Sequence, residues 1–293
     1  MLEIIKSFIL GIIEGITEWL PISSTGHMIL VDEIIRLNTT NAFKDMFLVV
    51  IQLGAILAVV ILFWNKLWPF HLRKRADEPY FKSEKNGFQR FCNNYIFVDR
   101  FILWFKILLA SLPAAILGLL FDDQIDAMLT GDGRAFVVAS TLIIYGILFI
   151  IIENLKVKGK VEDLDALSYR TALFIGAIQC LALVPGTSRS GSTILGAVLL
   201  GLSRTAAAEF SFFLSVPAMV GGSGIKVLQY FADGNTFSAQ EIAILTVGMI
   251  SAFVVSVLAI KFLLSYIRNH DFKIFGYYRI ILGVVVIAYF LIF

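Results

Sequence analysis

Gly11-Ile-Ile-Glu14-Gly-Ile-Thr-Glu18-Trp-Leu-Pro21-Ile-Ser23-Ser24-Thr25-Gly26-His27 sets two carboxylates, a run of hydroxyls and an imidazole inside an otherwise apolar stretch. Ionisable groups at membrane depth are expensive, and they persist where they bind something or do chemistry. A second stretch, Gly176-Ala-Ile-Gln179-Cys-Leu-Ala-Leu-Val-Pro185-Gly-Thr187-Ser188-Arg189-Ser190-Gly191-Ser192-Thr193, reads as a divergent copy of the first. Gly11-x-x-Glu14 matches Gly176-x-x-Gln179, and Pro21-Ile-Ser-Ser-Thr-Gly matches Pro185-Gly-Thr-Ser-Arg-Ser-Gly after a one-residue gap. The two loops are expected to meet and form one site.

Composition sets the environment. Of 293 residues, 58% are hydrophobic and only 16% charged, where a soluble domain carries about a quarter charged residues. The chain reads as a polytopic membrane protein. A net charge of +2 offers no basic footprint for nucleic acid. Cys92 and Cys180 sit in unlike surroundings, without zinc-ligand spacing or a disulfide framework. The start, Met-Leu-Glu-Ile-Ile-Lys, has neither a basic n-region nor a small-residue cleavage site, so no removable signal peptide is expected.

A spanning helix needs about 20 mainly apolar residues. Six segments qualify, near 46–64, 101–121, 135–153, 207–230, 240–264 and 277–293. Residues 4–35 and 171–203 are apolar but broken by Pro, Gly and polar clusters. Irregular backbone at membrane depth needs protein or a water-filled cavity around it, so both are read as re-entrant helical hairpins, with kinked spans as the alternative. The expected fold is an all-α integral membrane domain over 1–293, with six transmembrane helices and two re-entrant hairpins. Three spans follow each hairpin, so the halves, about 1–153 and 154–293, form inverted-topology repeats. Such repeats place their site near the midplane, at the repeat interface.

Basic residues set the orientation. Lys66, Arg73, Lys74, Arg75, Lys82, Lys85, Arg90 and Arg100 fall between the first two spans; Lys156, Lys158, Lys160 and Arg170 follow the third. Arg268, Lys273 and Arg279 are assigned to the turn before the last span. All lie on one side, whereas the opposite loops hold Asp122, Asp123, Asp126, Asp132 and Asp233. The positive-inside rule makes the basic side cytoplasmic. Both termini are then outside, and the first hairpin enters from outside.

Glu14 and Glu18 share a helix face at i,i+4 and repel each other unless one is protonated or a cation lies between them. A divalent ion held by carboxylates and a substrate phosphate resolves that conflict. His27 beside Ser23, Ser24 and Thr25 is a candidate general base or nucleophile. Arg189 needs an anion, and its planar fork suits phosphate oxygens. Ser188, Ser190, Ser192 and Thr193 add hydroxyl donors, and a helix beginning near 190–193 adds its N-terminus. Arg204, Glu209 and Gln52 are weaker candidates. One loop thus offers acids, a base and nucleophile-class residues, and the other an anion clamp, the division of labour phosphoryl transfer requires.

Glu14-x-x-x-Glu18 with Pro21-Ile-Ser-Ser-Thr-Gly-His27, and Pro185-Gly-Thr-Ser-Arg-Ser-Gly-Ser-Thr193, resemble the signature motifs of undecaprenyl-diphosphate phosphatases of the bacitracin-resistance type. The resemblance covers essentially the whole chain, including Phe47-Leu-Val-Val-Ile-Gln52-Leu-Gly and Glu209-Phe-Ser-Phe-Phe-Leu-Ser-Val-Pro217. It implies hydrolysis of undecaprenyl diphosphate to undecaprenyl phosphate and inorganic phosphate, recycling the lipid carrier of cell-wall polymers and conferring bacitracin resistance. It also implies catalytic roles for Glu14, Glu18, Ser24, His27 and Arg189, with phosphate contacts from Ser23, Thr25, Ser188, Ser190 and Thr193. A divalent cation, magnesium or calcium, is expected on Glu14 and Glu18. Ser24 and His27 both stand as nucleophile. The expected setting is the bacterial cell membrane, with the site opening to the outer face and lipids as partners; a homodimer is left open. The residues 65–100 are where this chain departs in length and charge. A polyprenyl-phosphate transporter is the rival reading, because inverted repeats and broken helices serve carriers equally well, although a carrier has little use for the Glu–Glu–Ser–His cluster.

Overall fold

The computed structural model describes residues 1–70, 86–121, 124, 125, 127, 128, 133–157 and 159–292. Its helices, in chain order, are α1 (Leu2–Thr17), α2 (Ser24–Ile34), α3 (Asn41–Leu62), α4 (Trp64–Leu67), α5 (Gly87–Tyr95) and α6 (Val98–Leu120). They continue with α7 (Arg134–Asn154), α8 (Tyr169–Gln179), α9 (Arg189–Leu199), α10 (Arg204–Ala232), α11 (Ala239–Ile267) and α12 (Lys273–Ile292). Among the described residues, β-structure is limited to two isolated bridges, Phe70 with Ile96 and Val161 with Leu202.

Among the described residues, six helices are long and apolar enough to cross a bilayer: α3, α6, α7, α10, α11 and α12, with mean hydropathy from 1.4 to 2.7. The chain is a multi-pass membrane protein, as the composition predicts. Span ends run a few residues beyond the apolar runs because capping residues start them. Thr40, Ser203 and Ser238 each accept a hydrogen bond from the backbone N–H three residues on, and Ser238 forms a capping box with Glu241. Leu108, Leu112, Ile116 and Leu119 leave one whole stripe of α6 exposed, a surface that suits acyl chains and would be a liability in water.

The four motif helices are shorter. α1 has 16 residues and α2, α8 and α9 have 11 each; at about 1.5 Å per residue, 11 residues reach about 17 Å, roughly half the hydrocarbon thickness. α1 lies along α11, and α8 lies along α6. Both seats are made by glycine. A Cβ on Gly11 would stand 1.9 Å from Ser251 Oγ, and one on Gly176 would stand 2.0 Å from the Ala110 carbonyl oxygen. Without a hydrophobic driving force between helices in lipid, such close backbone approach is what packing relies on. α3 packs on both α10 and α11, and α7 pairs along its length with α12. Buried Trp19 and Phe63 both meet Phe212, the first edge-on with ring centroids 5.3 Å apart.

Basic and acidic side chains gather at one end of the bundle. There Lys66 pairs with Glu209 at 2.6 Å, and Arg204 grips both carboxylate oxygens of Glu153, at 3.0 and 2.6 Å. Glu153 also accepts from the Phe272 backbone N–H. Arg204 and Glu209, two of the weaker site candidates, are therefore occupied in ion pairs here. Two assignments change. Residues 65–100 are not all loop, since α5 forms within them and α6 begins at Val98. Arg279 does not belong to the turn before the last span: it sits inside α12 and is fully buried, so it contributes nothing to the loop charge that sets orientation. Arg73, Lys74, Arg75, Lys82, Lys85, Asp122, Asp123, Asp126, Asp132 and Lys158 lie outside the described residues.

Candidate active site

Each motif is built the same way. α1 ends at Thr17, and Pro21 biases the residue before it away from helical backbone. The chain turns and restarts as α2 at Ser24. In the second motif α8 ends at Gln179, a 3-10 turn covers Cys180–Leu183, and α9 starts at Arg189 after Pro185 and Gly186. The residues before α2 and α9, Ser23 and Ser188, share an unusual backbone, φ 73 with ψ 103 and φ 71 with ψ 122. Each side chain accepts from the N–H three residues on, Gly26 or Gly191. A non-glycine residue at such φ costs about 1–3 kcal/mol and persists only where its surroundings over-determine it.

The restarts converge. Glu18 Oε1 accepts from Arg189 Nη2 at 2.7 Å and Glu18 Oε2 accepts from Ser24 Oγ at 2.9 Å. Ser190 Oγ donates to the Glu18 carbonyl at 3.1 Å. Arg189 Nη1 donates to the Ser211 carbonyl of α10, and its guanidinium lies 5.9 Å from the centre of the Trp19 ring. Glu18, Ser24 and Arg189 border a cavity of about 220 Å³ whose walls also include Thr25, Gln52, Ser188 and Ser223. Its α3 wall is Val49 and Gln52, and its α10 wall, Ala218 to Ser223, comes from that helix's C-terminal half. The cavity is thus displaced from the end where Lys66 and Glu209 pair.

A family model described as "Bacitracin resistance protein BacA" matches residues 7–285. The chain belongs to the BacA family. It is 54% identical over 288 residues to an undecaprenyl-diphosphatase of Enterococcus faecalis, covering 98% of this chain and 96% of that one. It is 53% identical to an undecaprenyl-diphosphatase of Acetivibrio thermocellus, covering 99% of both chains. One from Streptococcus thermophilus is 48% identical, covering 99% of this chain and 94% of that one.

The residues that the motifs single out divide into three groups. Glu18, Ser24, Thr25, Ser188 and Arg189 line the cavity. Ser23, Ser190 and Thr193 are buried in the scaffold that holds it: Ser23 caps α2, Ser190 holds the Glu18 backbone, and Thr193 Oγ1 joins Ser211 Oγ at 2.6 Å. Thr193 faces the α9–α10 packing rather than the cavity. His27 stands apart. Its Nδ1 lies 2.7 Å from the Ser23 carbonyl, so Nδ1 carries the proton, and Nε2 then accepts from the Tyr278 hydroxyl at 2.7 Å. Glu14 is 2% exposed, and its Oε1 has no partner among the described residues. A buried carboxylate oxygen one helical turn from Glu18, in a region of hard oxygen donors, fits a divalent cation. Among the described residues no group of three or more His, Cys, Asp or Glu comes together that could hold a metal ion by protein side chains alone.

Arg279 is the member that sequence reasoning misplaced. Its Nη1 donates to the Pro21 carbonyl at 3.3 Å, and Nη2 donates to the Gly186 and Thr187 carbonyls, both at 2.9 Å. One fork from α12 therefore ties the first loop to the second. The signal was present: a guanidinium between Tyr278 and Ile280, several residues into an apolar span, is costly unless it has interior work. Thr141 of α7 adds a hydrogen bond to the Pro185 carbonyl at 2.8 Å.

Proposed function

We propose that this chain is an undecaprenyl-diphosphatase, cleaving undecaprenyl diphosphate to undecaprenyl phosphate and inorganic phosphate and so returning the carrier lipid to cell-wall polymer synthesis. The observation that carries the reading is the bridge at Glu18. One carboxylate takes a guanidinium from the second motif and a hydroxyl from the first, beside a cavity. That arrangement supplies a nucleophile, a proton acceptor and an anion clamp within one hydrogen-bonded chain.

The terminal phosphate of the lipid is drawn to Arg189, which exchanges Glu18 for phosphate oxygens; Ser188 and Thr25 offer further donors. Released from Arg189, Glu18 takes the Ser24 proton as Ser24 Oγ attacks the terminal phosphorus. The bond from that phosphorus to the bridging oxygen breaks, undecaprenyl phosphate departs, and a phosphoserine remains. Water then attacks the phosphoserine, the bond from phosphorus to Ser24 Oγ breaks, and Glu18 returns its proton to Ser24 Oγ. Inorganic phosphate leaves carrying the water oxygen, the second water proton passing to a phosphate oxygen. His27, with Nε2 engaged by Tyr278 and off the cavity wall, is read as supporting the start of α2. Glu14 would hold a divalent cation with Glu18, and when bound that ion neutralises charge on the diphosphate.

The short motif helices are read as two re-entrant hairpins. The two halves are read as inverted repeats, because α1 on α11 is matched by α8 on α6 and Ser23 is matched by Ser188. The basic end is taken as cytoplasmic, which turns the cavity toward the outer face and leaves the termini outside.

Purified protein in detergent should release phosphate from undecaprenyl or farnesyl diphosphate. Glu18→Ala and Arg189→Ala, with retained fold, should each lower release by about 10³-fold or more. Parental rates in both would sink the enzyme reading. Sequencing a phosphopeptide trapped during turnover distinguishes Ser24 from His27, and no adduct at either would indicate direct attack by water.

A further inference from the structure

The connection between α3 and α6 carries a feature that hydrolysis does not use. α5, Gly87–Tyr95, divides its surface three ways. Cys92 and Asn93 turn inward and are buried, with Gln89 beside them. Phe88, Phe91 and Tyr95, at i, i+3 and i+7, form an aromatic stripe that is 70%, 52% and 43% exposed, with the Phe91 and Tyr95 rings 5.5 Å apart. Arg90 and Asn94 form the third face.

The chain just beyond the stripe is tied down. The Phe97 N–H donates to the Pro69 carbonyl, Arg100 donates to the Trp68 carbonyl, and Trp104 Nε1 donates to the Leu67 carbonyl. With the bridge of Phe70 to Ile96, the residue that follows α5, these bonds tie the C-terminal end of α5 to the segment where α3 leaves the bilayer and α6 enters it. Exposed aromatics gather at the same junction: Trp64 and Trp68 stack at 4.5 Å, and Trp68 meets Phe70 edge-on. Trp and Tyr concentrate at the headgroup level because their rings are apolar with a polar edge. A helix with protein on one face, aromatics on the second and a basic, polar third face matches a segment lying in the interface plane.

We propose that α5 is an interfacial anchor. Phe88, Phe91 and Tyr95 insert at the boundary of headgroups and acyl chains of the bilayer that the protein spans, and Arg90 and Asn94 face headgroups and water. The occupant is lipid rather than a second protein because α5 leads through Ile96, which is bridged to Phe70, directly into the spanning helix α6, at the bundle end where Trp64, Trp68 and Phe70 are exposed. The anchor holds the end of α4 and the start of α6 at the membrane surface, at the bundle end away from the cavity.

Nitroxide labels placed at Phe88→Cys, Arg90→Cys, Phe91→Cys and Asn94→Cys, in a Cys92→Ala, Cys180→Ala background, test this in nanodiscs of phosphatidylethanolamine and phosphatidylglycerol. The expected result is faster relaxation by oxygen than by a water-soluble nickel chelate at 88 and 91, and the reverse at 90 and 94. Labels at 88 and 91 as open to nickel as those at 90 and 94 would place the stripe in water and overturn the proposal. So would labels at 88 and 91 that are immobilised and closed to both reagents, which would mean a protein covers it. Because labels can disturb a short helix, the unsubstituted protein is also photolabelled with a diazirine lipid and mapped by mass spectrometry. Adducts on Phe88, Phe91 or Tyr95 are expected; labelling of α3 and α6 with none on 87–95 would overturn the assignment.

Discussion

Replacing Arg279 with methionine tests whether one guanidinium holds the two motif loops in register. Methionine keeps a flexible apolar stem and removes the donor fork. Three buried carbonyls, of Pro21, Gly186 and Thr187, lose their charged donor. Hydrogen bonds to a charged group contribute about 1.5–3 kcal/mol each, so the gross loss for three is about 4.5–9 kcal/mol. Against it stands the removal of a buried cation with no carboxylate partner among the described residues, whose effective desolvation cost is several kcal/mol. The terms largely offset each other in folding free energy. They do not offset each other in geometry, because the orphaned carbonyls belong to the segments that aim Ser24 and Arg189. A displacement of about 1 Å between reacting groups costs about 10²-fold in rate. Phosphate release should therefore fall by about a hundred-fold, while thermal unfolding in detergent moves by about 5 °C or less. Arg279→Lys should fall between, since a compact ammonium cannot span both loops. A methionine variant that turns over within about threefold of the parent would refute the staple, because a ratio that small is worth less than one hydrogen bond.

Chelation should abolish release and magnesium should restore it, and Glu14→Gln should raise the half-restoring concentration by about tenfold or more, read by metal titration. Equal titrations for parent and variant would remove Glu14 from the ion's shell. Gly176→Leu should lower the unfolding temperature sharply, because a Cβ alone already meets the Ala110 backbone, and overpacking of this kind costs about 1–3 kcal/mol or more. Glu153→Ala should destabilise by about 1–3 kcal/mol, discounted because the Arg204 side chain is 42% exposed. Its kcat should stay near the parent's, since Arg204 is the first residue of α10 and the cavity's wall on that helix begins only at Ala218.

Hydropathy, the paired motifs and their punctuation were enough to count six spans and to select Glu18, Ser24 and Arg189 before any fold was known. These are properties of a single chain segment: a bilayer demands apolar length, and a charge inside that length needs a reason. Local patterns also separated the short motif helices from the spans, because Pro, Gly and capping serines are read within a few residues.

Which hydroxyls face the cavity was not legible. Ser190 and Thr193 carry the same chemistry as Ser188, yet they turn into the packing against Glu18 and α10, which depends on helix rotation and on neighbours distant in sequence. Nor was the work of Arg279. Sequence alone placed it at a span's edge and credited it to loop charge; its purpose appears only when α12 brings it between Pro21 and Gly186, 258 and 93 residues away. The sequence by itself determined the environment, the spans and the chemical inventory, because those follow from local composition and period. The tertiary structure decided which groups of that inventory meet, because burial and hydrogen bonding are settled between segments rather than within them.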